Sequence, residues 1–388
     1  MNYELRTINY IMSRNADVII IGGGIIGCAT SYYLAKSGLK VFLFEKEYLC
    51  SGSTGRCIGG VRQQFTTKSM VKLMIQSVSL FSQMEEEFGK SVEWYQGGYL
   101  FLAHSEEKKN DYLKAISLQK SVGLPVEFVT SQEVKKIIPG LNTDGLLGGA
   151  YCPTDGQANP FSVTYEYAKG IKRCGGKIFS YTEVKEIIVK GNRVNGIKTS
   201  KGEKYSAGMV LNAAGPEVKE VGKMVGVEIP VEPERHEALI TEGVEKLFEP
   251  MLVDYRPDGC YFLQVHPTGQ FIGCYTPVPP VPGKRVDSSF EFLTDMPRRM
   301  VRLVPSLKNV KVIRQWAGSY EMTPDGNPIL DRTEIEGFYV CGGMCGHGFM
   351  LGPALGKIMA EFITSQKTSP PISEFALSRK FAEAEVMK

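Results

Sequence analysis

The sequence predicts an α/β fold: a parallel strand–helix–strand unit near the N-terminus, with an antiparallel α+β region built from later segments. Three observations predict it. The apolar run Val18 to Ile21 leads into a glycine cluster and then a helical stretch. Two later segments repeat a short apolar strand ending in small residues, at Met209 to Gly215 and at Phe338 to Gly348. Elsewhere, Glu93 to Ala103 and Gly259 to Tyr275 alternate large apolar with polar residues around turn signals, as antiparallel strands do.

A chain of 388 residues, 43% hydrophobic and 22% charged, can bury a large core and divide into about two domains. Lys plus Arg (45) barely exceeds Asp plus Glu (42), and there is no long basic run, which argues against nucleic acid and for a small ligand. No apolar stretch approaches the roughly 18 residues of a spanning helix, and the N-terminal residues lack the apolar middle of a signal peptide. A soluble cytoplasmic chain without a membrane span is expected, with residues 1–11 an unstructured extension. The nine cysteines (Cys28, Cys50, Cys57, Cys152, Cys174, Cys260, Cys274, Cys341 and Cys345) form no C-x-x-C pair and read as reduced thiols. Cys341, Cys345 and His347 invite a zinc reading, but further Cys or His ligands are lacking nearby, and no metal is expected.

Gly22, Gly24 and Gly27 have G-x-G-x-x-G spacing, behind a strand and at the head of a helix whose apolar positions are Ile26, Ala29, Tyr33 and Leu34. In the Rossmann-like arrangement, the first glycine permits the tight turn and the second lets a pyrophosphate reach the backbone. The third lets helix and sheet pack closely, with free N–H groups and the positive helix end facing the phosphate. Gly38 reads as the helix stop and Val41 to Phe44 as the returning parallel strand, ending at Glu45. An acid there suits the hydroxyls of an adenosine ribose and repels a phosphorylated one, which disfavours NADP.

The segment after Glu45 narrows the choice of dinucleotide. Where a nicotinamide fold would proceed to its next βα unit, this chain enters a second glycine-dense loop: Gly52, Gly55, Gly59 and Gly60, with Ser51, Ser53, Thr54, Arg56 and Arg62. It reads as chain wrapped along something long. The strand Met209 to Asn212 ends at Ala213-Ala214-Gly215. The strand Phe338 to Cys341 runs into the loop Gly342 to Gly348 and a helix over Pro353 to Ile363, with Leu355, Ile358, Met359 and Phe362 inward. A helix N-terminus aimed at an isoalloxazine ring would favour the negative charge of the reduced flavin.

From Ala16 to about Thr364 the chain resembles the D-amino-acid oxidase family of FAD-dependent oxidoreductases. "SGSTGRCIGGVRQQF" (51–65), "PTDGQANP" (153–160), "RQWAGSYEMTPDGNPILDR" (314–332) and "GHGFMLGPALG" (346–356) carry the resemblance. These segments look most like the β subunits of heteromeric sarcosine oxidases and of archaeal L-proline dehydrogenase complexes, with glycine oxidases more distant. The resemblance implies a glutathione-reductase-type FAD domain, expected over 16–92, 150–230 and 318–366, and an antiparallel-sheet substrate domain over 93–149 and 231–317. Residues 1–15 and 367–388 are then terminal extensions. FAD is expected to be noncovalent. Its expected contacts in the first unit and the glycine-dense loop are Gly22, Gly24, Ile25, Ile26, Gly27, Phe44, Glu45, Lys46, Ser51, Gly52, Ser53, Thr54, Arg56, Gly59 and Gly60. Further along they are Val184, Ala213, Ala214, Gly215, Gly342, Gly343, Gly346, His347, Gly348, Phe349 and Met350.

Two departures from the family pattern bear on the substrate. The arginine that forks onto the substrate carboxylate in glycine and D-amino-acid oxidases is matched here by Tyr320, so Arg62 becomes the first candidate clamp and Arg314 the second. Either arginine could instead tether the core. The histidine that carries a covalent FMN in heterotetrameric sarcosine oxidases is absent from Gln157-Ala158-Asn159-Pro160, so an FMN at a subunit interface would be noncovalent. His347 is placed to oppose charge on the reduced flavin, or is a structural histidine bonded to backbone. Tyr99, Tyr261 and Tyr275 are pocket or core aromatics, and Pro277 to Pro282 is a loop that could cover the site.

Three readings stay open on the sequence. One is an amine dehydrogenase subunit acting on proline, hydroxyproline, sarcosine or a similar amino acid, with a heteromeric α subunit and an electron acceptor. The second is a self-sufficient oxidase, and the third a non-catalytic flavin-bearing scaffold.

Overall fold

The computed structural model describes residues 14–365 and 367–381. The expected extension over residues 1–11 lies outside the described residues. The opening strand Val18–Ile21 sits inside a six-stranded sheet because all four of its side chains are buried, the even positions on one face and the odd on the other. Across this sheet the order is Ile329–Arg332, Phe338–Gly342, Met209–Asn212, Val18–Ile21, Val41–Phe44 and Lys177–Phe179. Only the pairing of Ile329–Arg332 with Phe338–Gly342 is antiparallel. Val18 pairs in register with both Val41 and Met209, which aligns the strand ends that carry Glu45, Gly22 and Ala213 along one edge.

Val18 and Ile20 join a core with the helices Ile25–Lys36, Pro160–Arg173 and Gly348–Ser365. Ile19 and Ile21 face a second core shared with the three-stranded sheet Val184–Lys190, Arg193–Thr199 and Lys204–Tyr205. The final helix begins at Gly348, five residues before the expected start, and carries Pro353 inside it. Pro353 lies one turn past the helix start, so the helix gives up the bond that an N–H there would make to the Phe349 carbonyl. Leu355, Ile358 and Met359 are buried as expected, whereas Phe362 is only partly buried against the same core.

The second large element is an eight-stranded sheet. Its order is Val312–Met322, Glu232–Gly243, Gln270–Cys274, Tyr261–Gln264, Met251–Val253, Tyr99–Ala103, Gly148–Cys152 and Glu127–Thr130. All pairings are antiparallel except that of Met251–Val253 with Tyr99–Ala103. The helix Phe290–Leu303 buries Phe292, Met296 and Met300 in the core beneath it. The boundary expected at residue 150 falls inside the strand Gly148–Cys152, and the one expected at 318 falls inside Val312–Met322. The latter strand runs from the sheet's outer edge to the six-stranded unit. The charged segment after Tyr99–Ala103 forms the helix Glu106–Lys120, capped by the Ser105 side chain.

Candidate active site

Between the two large sheets lies one elongated cavity of about 380 Å³. It begins where the opening strand turns into its helix. Gly22 holds φ +113°, and a β-carbon there would lie 2.3 Å from the Ala213 carbonyl oxygen; one at Gly27 would lie 1.9 Å from the Gly22 oxygen. Only glycine fits at either place, and the result is a helix start pressed against two strand ends. The Ile25 N–H is taken by Thr54 Oγ1 at 3.1 Å, which pins the glycine-dense loop over the helix N-terminus. By helix geometry the remaining first-turn N–H groups have no intrahelical acceptor, so they suit an anion.

At one end, Glu45, Lys46, Thr182, Val184, Glu217 and Met224 line the cavity. Glu45 is held in place by the N–H groups of Gly23 (2.7 Å) and Glu47 (2.8 Å), one on each carboxylate oxygen. Each oxygen keeps a further lone pair for a ribose hydroxyl. In the middle run Ser51 to Thr54, Ala213 to Gly215, and Glu321.

The other end is aromatic and carries the titratable groups. Arg62 is 3% exposed, lies 4.0 Å over the ring of Phe65 and 5.5 Å over that of Phe101, and donates to the Gln64 carbonyl. Its Nη2 lies 3.0 Å from His347 Nε2. Because a guanidinium only donates, His347 Nε2 is the acceptor, which puts the imidazole proton on Nδ1. The positive charge at this end therefore resides on Arg62, with His347 fixing its direction. Behind it, Asp155 accepts from the Gln63 N–H (2.7 Å) and from both the Gln63 and Gln64 side-chain amides. Burial lifts this carboxyl to about 6 against those hydrogen bonds.

Tyr261 and Tyr320 face each other with hydroxyls 3.3 Å apart, and burial raises both phenols, which stay protonated donors. Tyr320 is clamped: His236 stacks on it at 3.7 Å, and Gly346, at φ +82°, abuts its other side.

Most of the residues expected from the sequence converge here. Gly22, Gly24, Ile25, Ile26, Phe44, Glu45, Lys46, Ser51, Gly52, Ser53, Thr54, Arg56, Gly60 and Val184 line the cavity, as do Ala213 to Gly215 and Gly346 to Met350. So do Arg62, Tyr99, Tyr261 and Tyr320. Gly27, Gly59, Gly342 and Gly343 do not; they pack against protein one layer behind, Gly342 on Val218 and Gly343 on Thr323. Arg314 is a correction. It is exposed, outside the cavity lining, and six residues along an extended strand from Tyr320, roughly 20 Å away. Tyr275 also lies outside the lining, stacked on Phe292, and the 277–282 loop docks on Glu232–Gly243 through the Arg235 N–H to Val281.

Sequence reasoning missed His236, Glu321, Phe101, Met251, Val253, Tyr255 and Thr182, all of which line the cavity. Phe101 was accessible, since it shares a strand face with Tyr99 two residues away. Thr182 was accessible from its neighbour Val184. His236 and Glu321 face the cavity only through long-range strand pairing, as in the His236–Gly318 register. Among the described residues, no cluster of three His, Cys, Asp or Glu could hold a metal, no helix is long and apolar enough to cross a membrane, and all nine thiols are free.

A glycine-built helix start, a backbone-held carboxylate and a buried, cation-bearing aromatic end suit a dinucleotide ligand. The chain belongs to the family of FAD dependent oxidoreductases designated DAO, whose profile matches residues 17–362. It is an enzyme of the amino-acid, sarcosine and proline oxidoreductase group with FAD as its cofactor. It is similar to L-proline dehydrogenase from P. horikoshii, with a TM-score of 0.91 and 35% identity covering 95% of this chain and 98% of that one. It is 30% identical to sarcosine oxidase subunit beta of Rhizobium meliloti, covering 94% and 88% of the two chains. It is 27% identical to glycine oxidase of Geobacillus kaustophilus, covering 97% and 100%.

Proposed function

We propose that the chain oxidises a small secondary amino acid, such as proline, hydroxyproline or sarcosine, to its imine, as the catalytic subunit of a dehydrogenase complex. One observation carries this: a buried arginine, Arg62, oriented by His347 and stacked on Phe65, at the aromatic end of a flavin-sized cavity. Gly22 to Gly24, Glu45, Ser51 to Thr54, Ala213 to Gly215 and the start of the final helix would hold FAD, which would supply the hydride acceptor.

The chain's own side chains do the rest. Arg62 receives the substrate carboxylate, replacing the arginine whose place Tyr320 takes, and the protonated Tyr261 and Tyr320 donate to the same carboxylate. Phe101, Met251 and Val253 wall the reacting carbon from water. The amine binds unprotonated, so positioning and the Arg62 charge suffice without a general base.

The likeness to a sarcosine oxidase subunit beta supports a partner subunit, and the likeness to L-proline dehydrogenase supports a non-oxygen acceptor, with any interfacial FMN noncovalent. Nine free thiols support a cytoplasmic setting. In the same reading, segments 16–92, 150–230 and 318–366 serve the cofactor, and 93–149 with 231–317 the substrate.

The test is anaerobic flavin bleaching with proline, 4-hydroxyproline, sarcosine, glycine and D-alanine, on wild type and Arg62→Gln. Wild type should bleach with at least one. Arg62→Gln should keep its flavin but need about 10²- to 10³-fold more substrate, the cost of an unpaired buried carboxylate contact. Unaltered titration in the variant, or equal bleaching by amines without a carboxylate, would remove Arg62 from this role. Turnover with dye but without peroxide separates the dehydrogenase from an oxidase. Flavin that no amine bleaches would leave only a scaffold.

A further inference from the structure

Glu321 is a buried acid that the proposed chemistry does not use. It is 6% exposed and lines the middle of the cavity, where three cofactor-embracing segments meet. Its Oε2 accepts the Met344 N–H at 3.3 Å from the loop ahead of the final helix, and its backbone carbonyl accepts from Cys345 at 3.1 Å. Its Oε1 reaches over the turn after Met209–Asn212, so close that a β-carbon at Gly215 would lie 3.1 Å away. Ser53, from the glycine-dense loop, donates its hydroxyl to the Ser319 carbonyl at 2.7 Å, two residues before Glu321 on the same strand. Gly215 is one strand over from Gly22, where the pyrophosphate belongs, whereas Met344 lies three residues before His347 at the ring end. Glu321 thus stands between the two, beside the chain of hydroxyls that joins phosphate to ring.

We propose that Glu321 binds the polyol linker of the FAD as a neutral carboxylic acid, so that cofactor loading above neutral pH takes up a proton. This rests on the reading of the cavity as an FAD site. The surroundings favour the neutral acid. Among charged groups on the packed elements, Glu217 has the same sign and is paired with Lys46 at 2.9 Å. Arg56 directs its Nη1 to the Ala317 carbonyl at 3.3 Å. The thiols of Cys341 and Cys345 are pushed up by burial and remain neutral. Without cofactor, burial, partly offset by the Met344 N–H hydrogen bond, already lifts the carboxyl to about 7. A bound pyrophosphate adds negative charge nearby, and a polyol hydroxyl gains a donor as well as an acceptor when the acid is protonated. The sign follows: below pH about 7 the acid is neutral in both states and affinity is flat, and above it each unit of pH weakens binding up to tenfold.

The experiment measures FAD affinity of the apoprotein by quenching of flavin fluorescence from pH 6 to 8.5, for wild type and Glu321→Gln. Wild type should weaken roughly 30-fold across that range and the neutral isostere less than about threefold. Calorimetry of FAD binding to wild type at pH 8, in two buffers of different ionisation enthalpy, should report close to one proton taken up. That measurement needs no variant. No proton uptake, or equal pH dependence in wild type and Glu321→Gln, overturns the assignment. Failure of both proteins to bind FAD at any pH would overturn the cofactor site itself, and this assignment with it.

Discussion

A methyl group placed on Gly27 would meet the Gly22 carbonyl oxygen at 1.9 Å, a contact that no side-chain motion can relieve because the obstacle is backbone. Gly27→Ala is therefore expected to push the first helix off the opening strand, costing about 1–3 kcal/mol and widening the phosphate turn. Thermal melting and FAD titration check this together, and a variant that melts and binds like wild type would show that the turn is not the phosphate seat. At this scale much of the site was readable. Glycine spacing and the acid at a strand end are local signals, and Glu45 lines the cavity with both oxygens held by backbone. Arg314 misled because a cation in the right motif says nothing about position along its strand. Glu321 and His236 were silent because what makes them face the cavity is the partner strand, which sequence spacing does not name.

Among elements, the segment after the final helix was expected to be an extension, yet its described part is strapped to the turn between Val312–Met322 and Ile329–Arg332. Arg379 forks onto Asp325 at 2.8 and 2.9 Å, with both side chains under a tenth exposed, and also reaches the Asn327 carbonyl. Burial alone would raise the Asp325 carboxyl, but the guanidinium holds it below its ordinary value. Its stabilisation is then present above about pH 4 and fades in acid as the carboxyl protonates. The same turn holds Thr323, whose N–H and hydroxyl meet Cys345 Sγ at 3.4 and 3.2 Å, two residues before His347. Arg379→Ala is expected to lose about 3–5 kcal/mol by leaving a buried carboxylate unpaired, with a smaller loss below pH 4. Denaturant unfolding at pH 7 and pH 3.5 tests it, and an equal loss at both would mean packing, not the ion pair, holds the strap. The helix Lys68–Phe88 was also passed over, although its buried Met70, Leu73, Met74, Ser77, Val78 and Phe81 recur at helical spacing. The strand and turn motifs around it drew the reading, and a helix without chemistry carries no motif.

For the molecule as a whole, the cavity belongs to neither sheet alone. The six-stranded side contributes Gly22 to Ile26, Phe44, Glu45 and Ala213 to Gly215, and the eight-stranded side contributes Phe101, Met251, Val253 and Tyr261. The strand Val312–Met322 joins them, pairing along Glu232–Gly243 while Ser319 and Gly318 receive Ser53 and Arg56 from the glycine-dense loop. Strand order could not be read locally: Phe338 lies beside Val210, more than a hundred residues away, and only packing selects that neighbour. A ligand filling such a cavity binds only when both sheets are formed, so its binding energy is shared between them. At a hundredfold excess over its Kd, FAD should add about 2.7 kcal/mol to apoprotein stability, worth roughly 3 °C for a chain of this size. Hydrogen exchange locates where that energy appears. Slowed exchange is expected in Val18–Ile21 and Met209–Asn212 and, to a similar degree, in Tyr261–Gln264 and Val312–Met322. Protection confined to the six-stranded sheet, with the other sheet exchanging as in the apoprotein, would mean that cofactor and substrate regions unfold independently and that the cavity wall supplied by Tyr261 and Phe101 forms without help from the cofactor.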